Sequence, residues 1–158
     1  MLNLKTFQQI VENAPLFAID LVVLNDKHQI LVGQRLNAPA KGFWFVLGGR
    51  VYKNESLEKA FNRISESELG LKIEREQACL LGLYDHFYED SFFSSDISTH
   101  YINATHVLSL SSDKLTLPQE QHSHYQWIEV DSLAANTDVH IYSKIFLPEL
   151  QRWIQTHD

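Results

Sequence analysis

The chain has 158 residues, with 20 acidic and 13 basic side chains and a formal net charge of −7. This length predicts one domain over residues 1–158, and a hydrophobic fraction of 44% excludes a disordered chain because it can form a core. The negative charge argues against nonspecific binding to nucleic acid or to an anionic membrane, since both need a basic surface.

Cysteine content and hydropathy indicate where the protein works. Cys79 is the single cysteine, which excludes an internal disulfide and a zinc site built from several thiolates. The N-terminus has no sustained apolar run of the secretory type. The most apolar stretch, residues 16–24, is interrupted by Asp20 and is shorter than the roughly 20 residues of a membrane helix. We therefore expect a soluble, cytoplasmic protein.

The first part of the chain predicts one helix and three strands. Apolar residues at helical spacing from Leu4 onward end near Pro15, which predicts a short amphipathic helix. Residues 16–24 and 29–35 are rich in branched apolar side chains and flank a polar turn, so we expect a β-hairpin. Residues 43–47 predict a further buried strand.

The clearest helix runs from Ser56 to Leu69. Asn54 or Ser56 can cap its start, and Gly70 can end it. At about 100° per residue, Glu68 falls within the apolar stripe of this helix. A buried carboxylate is costly unless it is paired, hydrogen-bonded or bound to a metal. Alternatively, the helix overhangs the core and leaves Glu68 in solvent or paired with an arginine such as Arg63.

Three strand-like runs follow, at residues 80–88, 99–110 and 124–130. A polar, aromatic loop at 89–98 separates the first two. The last segment, residues 142–154, has apolar residues at helical spacing, and Pro148 predicts a kink or break in this helix. Groups of strands with a few helices between them indicate a mixed α/β fold.

Residues 48–71, GGRVYKNESLEKAFNRISESELGL, resemble the Nudix box, in which a glycine loop leads to a spaced glutamate, an arginine, a run of helix glutamates and a closing glycine. Six positions match: Gly49, Glu55, Arg63, Glu68, Gly70 and Leu71. At three positions the box pattern is not kept: Ile64 and Ser67 stand where it has glutamates, and Ser65 where it has an apolar residue. The resemblance implies a Nudix α/β/α sandwich with a mixed β-sheet.

The depleted box resembles one Nudix branch, the GDP-mannose mannosyl hydrolases. Further segments match this branch in the same order: the Phe7 region, Trp44–Val51, Asp85–Phe92, Thr99–Tyr101 and Leu117–His122. Leu47 differs, since a proline often precedes the two glycines. The resemblance implies hydrolysis of GDP-mannose, or of GDP-glucose, to GDP and free sugar, by water attack at the anomeric carbon with inversion.

By this resemblance, one Mg²⁺ or Mn²⁺ is held by the Gly48 carbonyl, the Glu68 carboxylate and the Gln121 side chain. His122 is the expected base, which fits an ordinary histidine pKa of about 6.5. Taken without the resemblance, His122 and His124 are surface residues or, with Glu120, a weak zinc site.

The resemblance also assigns the substrate contacts. Arg35, Arg50 and Tyr101 bind the phosphates, Asp20 and His86 lie near the sugar or the water, and Leu2 and Phe7 contact guanine. By themselves, the arginines are surface residues, Asp20 is as readily a structural aspartate, and Leu2 and Phe7 are core residues. Arg63 either contacts phosphate or pairs with Glu66 or Glu55. The branch is dimeric, so we expect a homodimer.

Two other functions stay open. A conventional Nudix pyrophosphatase would attack phosphorus, and a nucleotide-sugar-binding module would bind without turnover. The absence of glutamates at Ile64 and Ser67 favours attack at carbon, because a fuller acidic cluster would hold more metal ions around the phosphates.

Overall fold

The computed structural model describes residues 2–115, 117 and 122–157, without the side chains of His122 and Ser123. The strands are β1 Leu16–Leu24, β2 Gln29–Arg35, β3 Trp44–Arg50, β4 Cys79–Tyr88, β5 Thr99–Ser109 and β6 His122–Glu129. The helices are α1 Leu4–Asn13, α2 Leu57–Leu69, α3 Val130–Leu133 and α4 Leu147–His157, with short 3-10 turns at 75–77, 112–114 and 141–143.

These strands form one mixed sheet in the order β4-β5-β1-β3-β2-β6. β1 and β5 run parallel, and the other neighbours are antiparallel. Along β1 the side chains alternate between two buried apolar clusters. Ile19, Leu21 and Val23 pack with α2, whereas Val22 and Leu24 pack with the residues around α3 and α4. The expected α/β/α sandwich with a mixed β-sheet is confirmed.

The prediction for α2 is confirmed in its caps as well as its extent. The Ser56 hydroxyl, rather than Asn54, accepts a hydrogen bond from the Lys59 N–H, and Gly70 ends the helix in the left-handed conformation at φ 69°. In the part of the chain that the structure describes, no helix combines the length and apolar character that crossing a membrane requires.

The predicted β1–β2 hairpin is wrong beyond its turn. The two strands pair at Leu24 and Ile30 and then separate, and β3 enters the fork between them. Residues 44–46 of β3 pair with β2, whereas residues 47–50 pair with β1. All three strands are apolar on both faces, and such a pattern does not specify which neighbour a strand takes.

The predicted helix over residues 142–154, with a kink or break at Pro148, is wrong in its start, and the break lies before Leu147 rather than at the proline. α4 begins at Leu147, so Pro148 lies in its first turn, where the missing N–H has no intrahelical partner to lose. Ile145 and Phe146 continue the helical spacing but precede the helix. Phe146 is fully buried, so tertiary packing explains its apolar character.

Gly48 and Gly49 allow close approach from opposite sides of β3. A Cβ atom at Gly48 would overlap the Ile19 carbonyl oxygen and Asp20 Oδ1. A Cβ atom at Gly49 would lie 3.0 Å from Cγ1 of Ile64 on α2. The glycine pair therefore lets Asp20 lie against one face of β3 while α2 packs on the other.

We predict that Gly48→Ala lowers the free energy of unfolding by about 3 kcal/mol, because the new methyl group meets a main-chain carbonyl that cannot move aside. Gly49→Ala should cost only about 1 kcal/mol, since the Ile64 side chain can shift. Urea unfolding of the metal-free protein would measure both. Equal costs for the two substitutions would contradict this account of the glycine pair.

Candidate functional site

A cavity of about 270 Å³ opens beside the end of β3, just below the roughly 300–1,000 Å³ of small-molecule sites. The cross-strand register explains its composition, since His86 pairs with Tyr101 and Asp20 pairs with Gly48. Seven of the residues predicted for the site line this cavity: Asp20, Arg35, Gly48, Arg50, Glu68, His86 and Tyr101.

Glu68 is the carboxylate that α2 presents to the cavity. It is only 3% exposed and accepts a hydrogen bond from the Gly48 main chain. Burial, with a smaller contribution from Asp20, raises its pKa to about 7. The alternative in which Glu68 lies in solvent or pairs with Arg63 is therefore wrong, because the helix end is packed rather than overhanging.

Asp20 provides a second carboxyl group in the same cavity. Burial raises its pKa to about 7, while a hydrogen bond with Asn103 and the charge of Arg35 act in the opposite direction. Its position in the middle of β1 makes it a polar interruption of an apolar strand, as the sequence indicated.

Two guanidinium groups and a phenol form the cationic side of the cavity. Arg35 lies over the Phe45 ring, with Cζ 5.5 Å from the ring centroid. Arg50 contacts the rings of Phe7 and Tyr52 at 4.7 and 4.9 Å. Burial raises the pKa of Tyr101, so its hydroxyl remains a donor. Such a group of donors suits phosphate oxygens.

Arg63 stabilises the segment that carries Arg50. Its Nε and Nη2 atoms donate to the two Glu55 carboxylate oxygens at 2.7 and 2.9 Å, and Nη2 also donates to the Arg50 carbonyl at 2.7 Å. The same guanidinium lies 3.8 Å from the Tyr52 ring centroid. Of the alternatives for Arg63, the structure therefore favours the pair with Glu55 over phosphate contact or a pair with Glu66.

His86 presents a neutral imidazole to the cavity. It is 4% exposed, and its ring stacks on Tyr142 at 4.4 Å. Burial and the neighbouring His140 lower its pKa to about 4. Nε2 is buried and has no hydrogen-bond partner among the residues that the structure describes, so it is available to a polar group of a ligand.

Four further residues predicted for the site, Leu2, Phe7, Gln121 and His122, are not among the described residues that line the cavity. Phe7 reaches the cavity through Arg50 and packs edge to face on Phe93 at 5.4 Å, whereas Leu2 is 43% exposed, and neither belongs to the described lining. Gln121 lies outside the described residues. The main chain of His122 pairs with Arg35 at the β2–β6 ladder, which brings this residue close to the cavity.

Sequence reasoning missed several residues of the lining. The most informative is Asn103, a buried amide in β5. It lies in a strand that also contains threonines and histidines, so no local pattern distinguished it. Tyr88 lies within the matched segment 85–92, but nothing in the segment distinguished it. Other missed lining residues are Asn37 and Phe45.

The donors around Glu68 fit one divalent cation. Two carboxyl groups with raised pKa values, the buried Glu68 and the half-buried Asp20, are incompletely compensated by Arg35, and a bound cation would stabilise their ionised forms. In the described ranges, no group of three or more His, Cys, Asp or Glu side chains could hold a metal ion. On α2, Ile64 is buried and Ser67 is exposed, so this helix offers a single carboxylate to the cavity.

We predict that Asp20→Asn makes the metal-free protein less sensitive to alkaline pH. A carboxyl group with a folded pKa of about 7 and an unfolded value of 3.8 stabilises the fold at low pH and loses this stabilisation as pH rises through 7. The variant should therefore gain about 2 kcal/mol relative to the unsubstituted protein between pH 5 and pH 8. Urea unfolding in EDTA measures this gain, and Asp26→Asn, in the exposed β1–β2 turn, is the matched control. A difference that does not change with pH would contradict the prediction.

Comparison with known proteins identifies the family of this chain. The sequence profile of the NUDIX domain matches residues 15–150. The low-salt glycan biosynthesis protein Agl8 of Haloferax volcanii is 38% identical over 123 residues, which cover 78% of this chain and 76% of that protein.

Two solved structures have similar folds. The MutT NUDIX hydrolase of Burkholderia pseudomallei superposes with a TM-score of 0.69 at 25% identity, covering 87% of this chain and 98% of that one. The NUDIX domain of Shewanella oneidensis NrtR, solved with ADP ribose, gives 0.69 at 16% identity, covering 97% and 94%, and shows the shared fold alone. With the profile covering most of its length, the chain belongs to the NUDIX family and is a Nudix hydrolase.

Proposed function

We propose that this Nudix hydrolase converts GDP-mannose to GDP and mannose, with GDP-glucose as the other candidate substrate. One observation carries the proposal: α2 presents Glu68 alone to the cavity, while Ile64 is 1% exposed and packs against Gly49. A helix with one carboxylate supports a single metal ion, and so favours neutralising a leaving group over assembling several ions around phosphorus.

The leaving group requires positive charge rather than a proton. When the bond between the anomeric carbon and the phosphate oxygen breaks, GDP keeps the electron pair. We assign the binding of the diphosphate oxygens to Arg35, Arg50 and the Tyr101 hydroxyl, whose residues line the cavity. One Mg²⁺ or Mn²⁺, held by Glu68, the Gly48 carbonyl and Gln121, would supply further neutralisation of the diphosphate.

Water attacks the anomeric carbon from the face opposite GDP, which inverts its configuration. We assign the base that accepts the water proton to His122, whose main chain lies opposite Arg35 in the sheet. Asp20 and His86 also line the cavity, and we assign them to the sugar side. A carboxylate at Asp20 would stabilise positive charge that develops on the sugar.

The wider context supports a sugar nucleotide. The relative from Haloferax volcanii is named for glycan biosynthesis, a process that consumes activated sugars. We extend the proposal to a cytoplasmic homodimer in which Leu2 and Phe7 contact the guanine. Leu2 and Leu4 expose 43% and 66% of their surface in the single chain, which leaves the N-terminal helix available for such contacts.

The bond that is cut distinguishes the proposal from a Nudix pyrophosphatase. We predict that hydrolysis in ¹⁸O-labelled water with Mg²⁺ places the label in free mannose and leaves GDP unlabelled. Mass spectrometry of both products makes the measurement, with a reaction lacking enzyme as the control. Label in GMP or in mannose 1-phosphate would overturn the proposal in favour of attack at phosphorus. Binding of GDP-mannose without any product would instead support the binding module.

We predict that His122→Gln lowers kcat by about 10²–10⁴-fold, the usual contribution of a positioned general base, while the metal and arginines sustain the remaining turnover. His124→Gln, in the exposed part of the same strand, is the matched control and should retain most activity. Turnover of His122→Gln equal to that of the unsubstituted enzyme would remove His122 as the base.

A further inference from the structure

A chain of three polar side chains crosses the β1–β5 ladder behind the cavity. The parallel register pairs Ala18 with Asn103 and Asp20 with Thr105, so Asp20, Asn103 and Thr105 project from the same face of the sheet. Asn103 and Thr105 are 2% and 1% exposed. Of the three, Asp20 and Asn103 line the cavity.

The hydrogen bonds of this chain have a defined direction. The Thr105 hydroxyl donates to Asn103 Oδ1 at 2.8 Å, which leaves the amide nitrogen to face the remaining polar neighbour. That neighbour is Asp20, which projects from the same face of the sheet and whose pKa the Asn103 side chain lowers. The ionised Asp20 carboxylate, the form that the proposed function uses, can only accept hydrogen bonds, so in that form the opposite amide orientation would place two oxygens against each other.

Burial makes this arrangement specific. A buried polar group without a hydrogen-bond partner is costly, so the Thr105 hydroxyl and the Asn103 amide each have one favourable orientation. Thr105 determines the orientation of the Asn103 amide, and the amide determines which Asp20 oxygen it engages. Asp20 Oδ1 lies next to Gly48, and both residues line the cavity.

We propose that Thr105 and Asn103 are positioning residues that hold the Asp20 carboxyl group in its working orientation toward the substrate. The inference rests on the proposed function in that Asp20 acts on the bound sugar. Neither Thr105 nor Asn103 is required to contact the substrate, and Thr105 acts only through its neighbour.

The test removes one hydroxyl without changing the volume of the side chain. Thr105→Val should lower kcat for GDP-mannose by about tenfold, the equivalent of one buried hydrogen bond, and leave KM within about twofold because the effect is on orientation. Thr105→Ser keeps the hydroxyl and should restore most of this loss. Thr99→Val is the matched control, since this buried threonine of the same strand donates to the Asp90 carbonyl instead.

A double-substitution cycle separates positioning from a structural effect. In an Asp20→Asn background, Thr105→Val should cause no further loss of kcat, because the group that it positions is already changed. Equal losses in both backgrounds, or an equal loss in Thr99→Val, would overturn the proposal.

A measurement without substrate keeps this inference distinct from the proposed function. In ¹H–¹⁵N spectra of the metal-free protein, Thr105→Val and Asp20→Asn should each shift the Asn103 side-chain amide, and Thr99→Val should not. An unshifted amide overturns the positioning chain whatever the substrate is. If the enzyme instead releases GMP and sugar phosphate, the proposed function fails, and the kinetic cycle on that reaction decides the role of Thr105.

Discussion

The structure depends on holding two carboxyl groups, the half-buried Asp20 and the buried Glu68, around the same stretch of β3. The ionised form of each group would be more stable in bulk water than in this partly desolvated cavity. Three features offset this cost. Gly48 has no side chain and so leaves space for Asp20, the Gly48 main chain is hydrogen-bonded to Glu68, and Arg35 contributes opposite charge. Arg35 alone does not return either pKa to its ordinary value, which is the state expected of a site that receives a cation.

Because β3 enters the fork between β1 and β2, residues 47–50 of β3 lie beside both β1 and the end of α2. Where β3 changes from pairing with β2 to pairing with β1, its residues 47–50 meet β1 on one side, and the end of α2 brings Glu68 beside Gly48. The sheet therefore combines side chains from opposite layers in one cavity. Asp20 and Tyr101 come from the strands, and Glu68 comes from the helix that packs on the other face.

Local chemistry decided what could be predicted from the sequence. The caps and apolar stripe of α2 determine its bounds, and the stripe identified Glu68 as buried. Strand neighbours could not be predicted, because the insertion of β3 depends on pairing between distant segments rather than on any local pattern. The start of α4 was missed because Phe146 continues the helical spacing for a reason that only tertiary packing supplies. Asn103 and Thr105 could not be identified, because β5 is rich in polar residues and their relation to Asp20 depends on the β1–β5 register.

The Arg50 guanidinium lies against the rings of Phe7 and Tyr52, and the Arg50 carbonyl accepts a hydrogen bond from Arg63. A long, flexible side chain normally loses about 1.5–2 kcal/mol of rotamer entropy when it is fixed. Here much of that loss occurs during folding, since Phe7 and Tyr52 already restrict the guanidinium. An anion that reaches this surface meets a rigid donor rather than a mobile one, so its association should be limited by diffusion and desolvation more than by ordering of the protein. The N-terminal helix, remote in sequence from the box, thereby influences how quickly the cationic side of the cavity can capture a phosphate.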